Sequence, residues 1–174
     1  MDQVIDVASP LGRLRLRPER DDDEDFRLDL FCTSRPPEWQ MAGFEPNMLR
    51  LLMRQQFQAQ TVSYRAQFPG ARFDIIELDG APIGRIVVNR PGGFIHIIDQ
   101  AIVPDLRGRG IGTSLMAKLM DEAARGGIPV RLKVASDNDP SMRLYLRLGF
   151  EVIDRTEMYL EMEWRGKDTG AAPH

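Results

Sequence analysis

Leu14 and Leu16 alternate with Arg13, Arg15 and Arg17 ahead of Pro18, the period of two that marks a strand with one buried face. The acidic run Asp21-Asp22-Asp23-Glu24-Asp25 then precedes Phe26, Leu28, Leu30 and Phe31, which predicts a helix whose N-terminal dipole the carboxylates complement. No histidine lies at ligand spacing in that run, so it reads as a solvated capping cluster rather than a metal site. Beyond the proline-rich connector Ser34-Arg35-Pro36-Pro37-Glu38-Trp39, a longer helix is predicted over residues 47–66, with Met48, Leu51, Leu52, Phe57 and Val62 as apolar positions. Segments 73–78 and 83–88 flank Asp79-Gly80 as an antiparallel hairpin. Arg90-Pro91-Gly92-Gly93 turns into residues 94–103, a strand whose apolar runs predict burial on both faces. Ile111, Leu115, Leu119 and Ala123 recur at every fourth position, widened by Met116 and Met120, and the helix they form stops at Gly126-Gly127. Val130, Leu132 and Val134 alternate as a strand. A short helix over 140–148 ends at Gly149, and strands 150–153 and 158–164 are joined by Asp154-Arg155-Thr156.

The order is strand, two helices, three meandering strands, helix, strand, helix, two strands. It predicts an α/β (α+β) fold on a mixed sheet, antiparallel through the meander and parallel, with a right-handed crossover, across the strand-helix-strand unit. One domain over residues 12–164 accounts for these elements. Residues 1–11 form an N-terminal extension, and the tail 165–174, with nothing to bury, is expected to be mobile.

Composition narrows the function. The chain has 174 residues, 43% hydrophobic and 28% charged, the balance of an ordinary globular domain. A net charge of −3 argues against a nucleic-acid partner, which requires a surplus of Lys and Arg. The N-terminus lacks the pattern of a signal peptide, and no apolar run approaches the roughly 20 residues of a membrane span, which argues against a membrane partner. A single cysteine, Cys32, excludes an intrachain disulfide framework; it reads as a small buried apolar group in a reducing, cytoplasmic setting.

The chemistry is concentrated where strand 94–103 meets the helix beginning near Ile111. The connecting turn contains Arg107, Gly108, Arg109, Gly110 and Gly112. Glycines let a ligand approach the backbone, and the free N–H groups of a helix's first turn point outward with the positive end of its dipole, so the turn suits an anion such as phosphate. The alternative is a turn that merely caps the helix. A dinucleotide fingerprint requires glycine at position 113, which is threonine, and a P-loop requires Gly-Lys followed by Ser or Thr, whereas Gly166-Lys167 precedes Asp168. The turn has the form Arg-x-x-Gly-x-Gly.

In this form it resembles the acyl-coenzyme A pyrophosphate loop of the GCN5-related N-acetyltransferases (GNAT), Gln/Arg-x-x-Gly-x-Gly/Ala. A second segment, Asn138, Ser141, Leu144, Tyr145, Leu148, Gly149 and Phe150, is similar to that family's Asn-x-x-Ala-x-x-Leu-Tyr-x-x-Leu-Gly-Phe, with Ser141 replacing alanine. The resemblance implies a mostly antiparallel seven-stranded sheet flanked by about four helices and splayed between its fourth and fifth strands. It implies acetyl-coenzyme A as donor substrate, no metal, and direct transfer of the acetyl group to an amine. The N–H groups of Gly108, Arg109, Gly110, Ile111, Gly112 and Thr113 would hold the pyrophosphate, with Arg107 and Arg109 adding charge. Ala101, Ile102 and Val103 end the strand that bulges to admit pantetheine, and the Ile102 N–H would polarise the thioester carbonyl as an oxyanion donor. Tyr145 corresponds to the general acid for the departing thiolate; without the motif it reads as a core tyrosine. Asn138 has two readings, cofactor contact or helix entry.

His96 is the candidate base, upstream of the bulge and near where some relatives carry glutamate; a structural histidine is its other reading. Asp99, three residues on, points to the opposite face if alternation is regular. Lys133 stands where other relatives place a glutamate, which removes that route. The acceptor pocket is implied over residues 26–68, with Arg35, Trp39, Met41 and Phe44 as candidate lining groups. The acceptor is a small-molecule or peptide amine. The last strand, bearing Tyr159, Met162 and Trp164, is a candidate surface for pairing or packing in a homodimer. A non-catalytic acyl-coenzyme A-binding module is the alternative function.

Overall fold

Alternation and helical spacing map onto the elements of a computed structural model that describes residues 3–34 and 43–167. In chain order they are β1 Ile5–Ser9, β2 Gly12–Pro18, α1 Glu24–Thr33, α2 Pro46–Gln67, β3 Arg72–Leu78, β4 Ala81–Asn89, β5 Ile95–Ile102, α3 Ile111–Gly126, β6 Val130–Ala135, α4 Asp139–Leu148, β7 Glu151–Arg155 and β8 Tyr159–Trp164. The described residues form an 8-stranded open sheet of order β1-β2-β3-β4-β5-β6-β8-β7, mostly antiparallel, with β5 and β6 parallel. Seven strands were expected. The eighth is β1, from the segment read as an extension: it pairs with β2 in a hairpin, and of its five residues only Val7 is buried, which leaves little hydropathy signal. No described helix is long and apolar enough to cross a membrane.

Contacts divide the chain into two compact units, residues 1–87 with 99–114, and residues 88–98 with 115–174. In the first, β2 pairs antiparallel with β3, from Leu14 opposite Leu78 to Pro18 opposite Asp74. Helices α1 and α2 meet through Leu28, Phe31, Met53 and Phe57, with Cys32 and Leu49 packed beside them. Leu49, Met53 and Phe57 lie four residues apart on one helical face, whereas Met48, Leu51 and Val62, expected in the stripe, are exposed. Two apolar stripes overlap on α2, and only the position of α1 selects between them.

The acidic run also differs from expectation. Residues Asp21–Asp23 form a 3-10 turn, and Asp23 is buried. Its carboxylate accepts two hydrogen bonds from Arg17 at 2.8 Å and one from the Arg20 N–H at 2.7 Å, so one member of the cluster is an internal counterion. Arg17 also donates to Glu77 at 2.6 Å. Glu19 is buried among three guanidinium groups, Arg65 at 2.6 Å, Arg85 at 3.2 Å and Arg27 at 3.3 Å.

In the second unit β6 lies between β5 and β8. Val130, Leu132 and Val134 form a buried row that continues by register onto Ile95 and Ile97 of β5 and onto Met162 and Leu160 of β8. Both edges of β8 are taken, by β6 and β7, so this strand cannot pair across a dimer; Met162 is fully buried. Ile153 is displaced at a register shift in β7 and stands exposed. The two-faced burial expected of β5 holds for neither face throughout: Ile95 and Ile97 are buried and the residues from Ile98 to Ile102 are half-buried. The parallel register with β6 covers Ile95 to Ile97, which is where full burial ends.

Candidate functional site

The site is built from the end of β5 and the start of α3, both within the first unit. The Val103 N–H donates to the Ile83 carbonyl of β4 at 2.9 Å. Successive peptide groups in a strand face opposite edges, so the Ile102 N–H is directed away from β4. The Ile102 carbonyl on that same edge accepts from Arg107 Nε at 2.9 Å. A 3-10 turn, Pro104–Leu106, then carries the chain to the glycines. α3 opens with the Ser114 N–H on the Gly110 carbonyl at 3.0 Å. This leaves the N–H groups of Ile111, Gly112 and Thr113 in the first turn, where a helix provides no internal acceptor and the dipole is positive.

The sequence suggested one reason for all three glycines, and the structure gives three. Gly108 has φ +72° and no heavy atom within 4 Å of where a Cβ would stand, so its side is open to a ligand. Gly110 has φ +87° and faces Pro10, whose Cγ would lie 3.0 Å from an added Cβ. Gly112 has an ordinary φ, but a Cβ there would meet Gln100 Nε2 at 2.9 Å. Of the three, Gly108 offers the open approach; the other two are packed against the β1-β2 turn and against a β5 side chain. The open side of Gly108, the first turn of α3 and the exposed Arg109 suit an anion such as phosphate.

Arg107 has backbone partners. Besides the Ile102 carbonyl, its guanidinium reaches the Thr33 carbonyl at the C-terminal end of α1, at 3.5 Å. It therefore braces backbone acceptors, one of them at a helix C-terminus where a cation is favoured, while its charge stays beside the glycine turn.

Gly84, Pro10 and Gln100 were not singled out from sequence. A lone glycine within the apolar run of β4 was a legible signal of a bulge or close backbone approach. A Cβ on Gly84 would fall 2.5 Å from the Ala101 carbonyl oxygen. Pro10 and Gln100 carried no signal, since their partners lie far away in sequence.

The remaining candidates belong to the second unit. His96 lies opposite Arg131 in register with β6, its ring 6.1 Å from that of Phe94. Burial, then the Lys133 and Arg131 cations, hold its pKa below the ordinary 6.5, with Glu161 opposing. Tyr145 is half-buried on α4 with its ring 5.7 Å from that of Phe150. Its backbone carbonyl accepts the Phe150 N–H at 3.0 Å where the left-handed Gly149 ends the helix. Asn138 is the N-cap of α4, and its Oδ1 accepts from the Ser141 N–H at 3.3 Å, the geometry of the helix-entry reading. Asp99, in the first unit, has Arg85 Nη1 at 3.7 Å. Arg35, Trp39 and Met41 lie outside the described residues; Phe44 is exposed. Among the described residues, no group of three or more His, Cys, Asp or Glu side chains could hold a metal ion.

Known proteins share this architecture. N-acetyltransferase MJ1207 of Methanocaldococcus jannaschii, itself uncharacterised, is 35% identical over 100 residues, covering 52% of this chain and 43% of that protein. N-alpha-acetyltransferase RimI of Mycobacterium tuberculosis is 34% identical over 104 residues, covering 59% and 63% respectively, so the matched segments span less than two thirds of either relative. Among solved structures, the PaiA N-acetyltransferase of Thermoplasma acidophilum, in complex with coenzyme A, superposes with a TM-score of 0.65 at 17% identity, covering 88% of this chain and 99% of that one. That likeness is one of fold. The model of the acetyltransferase (GNAT) family matches residues 28–150, taking in the glycine turn and the Asn138 to Phe150 segment, and the chain belongs to that family.

Proposed function

We propose that this protein is an acetyl-coenzyme A-dependent N-acetyltransferase that passes the acetyl group directly to a primary amine of a peptide or small molecule, and that it works in the cytoplasm. One observation carries the reading. The open Gly108 precedes the first-turn N–H groups of Ile111, Gly112 and Thr113, in the connection that follows a strand whose Ile102 N–H is directed away from β4.

Bound there, coenzyme A supplies an activated thioester acyl group. The backbone from Gly108 to Thr113, with Arg109, holds the pyrophosphate, and Ala101, Ile102 and Val103 line the pantetheine as an added strand would. The Ile102 N–H donates to the carbonyl oxygen as it gains negative charge. His96, whose neutral form is favoured by burial and neighbouring cations, takes the proton that the amine must lose. Tyr145 donates to the departing sulfur, so amine and thioester become amide and free thiol. Helices α1 and α2 are assigned to the acceptor side. Arg107 holds the turn to the ends of β5 and α1, and Asn138 shapes the entry to α4.

Thiol release from acetyl-coenzyme A across a panel of amines, with calorimetry of coenzyme A binding, tests this. Turnover with at least one amine is expected, and Tyr145→Phe should lower kcat by about 10²-fold with coenzyme A affinity unchanged. Tight binding without turnover on any amine would make the protein a binding module. Absence of binding would remove the reading altogether.

A further inference from the structure

Gly84 sits within β4 with an ordinary φ, so conformational freedom does not explain a glycine there. Space does. A Cβ would stand 2.5 Å from the Ala101 carbonyl oxygen, 2.8 Å from Ile102 Cδ1 and 3.2 Å from Ile76 Cδ1. Hydrogen-bonded strands run about 4.8 Å apart, and their side chains leave the sheet clear of the neighbouring carbonyls. Here the Ala101 carbonyl oxygen takes up the space that a side chain at Gly84 would need. One residue past Ile102 the Val103 N–H donates to the Ile83 carbonyl of β4 at 2.9 Å.

The displaced carbonyl has a partner in the same peptide group. Ala101 C=O and Ile102 N–H are the two ends of one planar unit, so the seat of the oxygen fixes the direction of the hydrogen. We infer that Gly84 is a positioning residue for acyl transfer: its absent side chain seats the Ala101 carbonyl, and through the rigid peptide this aims the Ile102 N–H at the thioester oxygen. The inference rests on the acetyl-transfer reading above.

Gly84→Ala tests it, because the added methyl is roughly 1 Å short of an ordinary contact with the oxygen and must tilt the peptide. Expected is a fall in kcat of about 10²-fold with coenzyme A affinity unchanged, since the pyrophosphate turn is untouched. A carbonyl-labelled acetyl-coenzyme A bound to the wild type should show a downfield 13C shift from the donated hydrogen bond, and in Gly84→Ala that shift should return toward the free value. A purely structural glycine would not move that resonance in a variant that still binds. If Gly84→Ala does not fold, Gly84→Ala/Ile102→Val removes the side-chain clash at 2.8 Å and leaves the clash with the oxygen, with the same expectation. Wild-type kcat and an unaltered carbonyl shift in either variant would overturn the inference, as would failure of both to fold, which would make the close approach a packing requirement. A wild type that turns over no amine would instead refute the acetyl-transfer reading.

Discussion

Both units bury hydrocarbon, and the first buries charge as well. In the first, Glu19 gathers Arg27 from α1, Arg65 from α2 and Arg85 from β4, while Arg17 joins Asp23 to Glu77. In the second, the row through Ile95, Val130, Leu132, Val134, Leu160 and Met162 is apolar, and its main ion pairs, Arg131 to Glu163 and Arg90 to Glu122, lie at partly exposed positions. Apolar packing fixes depth more than direction, whereas a guanidinium between two carboxylates admits few geometries. The first unit, which carries the glycine turn and helices α1 and α2, is the one held by directional contacts.

The largest effect should come from breaking the charge cluster. Glu19→Ala leaves three guanidinium groups around an empty place and should destabilise by about 3–5 kcal/mol in urea unfolding. A loss below about 1 kcal/mol would mean that the arginines are satisfied by water and the contrast between units is superficial. Met162→Ala in the second unit should lose about 2–4 kcal/mol, from transfer and cavity together, with no dependence on salt.

Acid separates the units next. Asp23 has its pKa held below 3.8 chiefly by the hydrogen bonds from Arg17, so its contribution to stability is present above that pH and disappears as pH falls through the folded value. His96 has its pKa lowered from 6.5, so on acidification the unfolded chain takes up the proton first and stability declines from about pH 6.5 downward. Between pH 7 and pH 5, melting temperature should therefore drop in a way that His96→Gln abolishes and Asp23→Asn does not; an unchanged slope in His96→Gln would contradict this. The smallest effect is at the α4 cap, where Asn138→Ala should cost about 1 kcal/mol by the same unfolding measurement.

Much of the fold was legible because α3, β6 and α4 each present one stripe to one side. β1 was not, since a five-residue strand with one buried side chain carries almost no pattern. Asp23 was read with its solvated neighbours because its partner Arg17 belongs to another element. The donor turn was legible as a motif, but the separate reasons for Gly108, Gly110 and Gly112 depend on Pro10 and Gln100, whose places beside the turn exist only after folding. Arg107 shows the same limit: spacing marks the residue, and only geometry shows it spent on backbone carbonyls.

Pro10 has a consequence for handling the chain. It lies in the turn between β1 and β2 and directly against Gly110, so one side of the glycine turn rests on that hairpin. Trimming the N-terminus past this hairpin, or fusing a partner so close that it strains the turn, loosens a site whose motif is encoded far downstream. The boundary of the smallest competent fragment is therefore set by a proline that belongs to neither family motif.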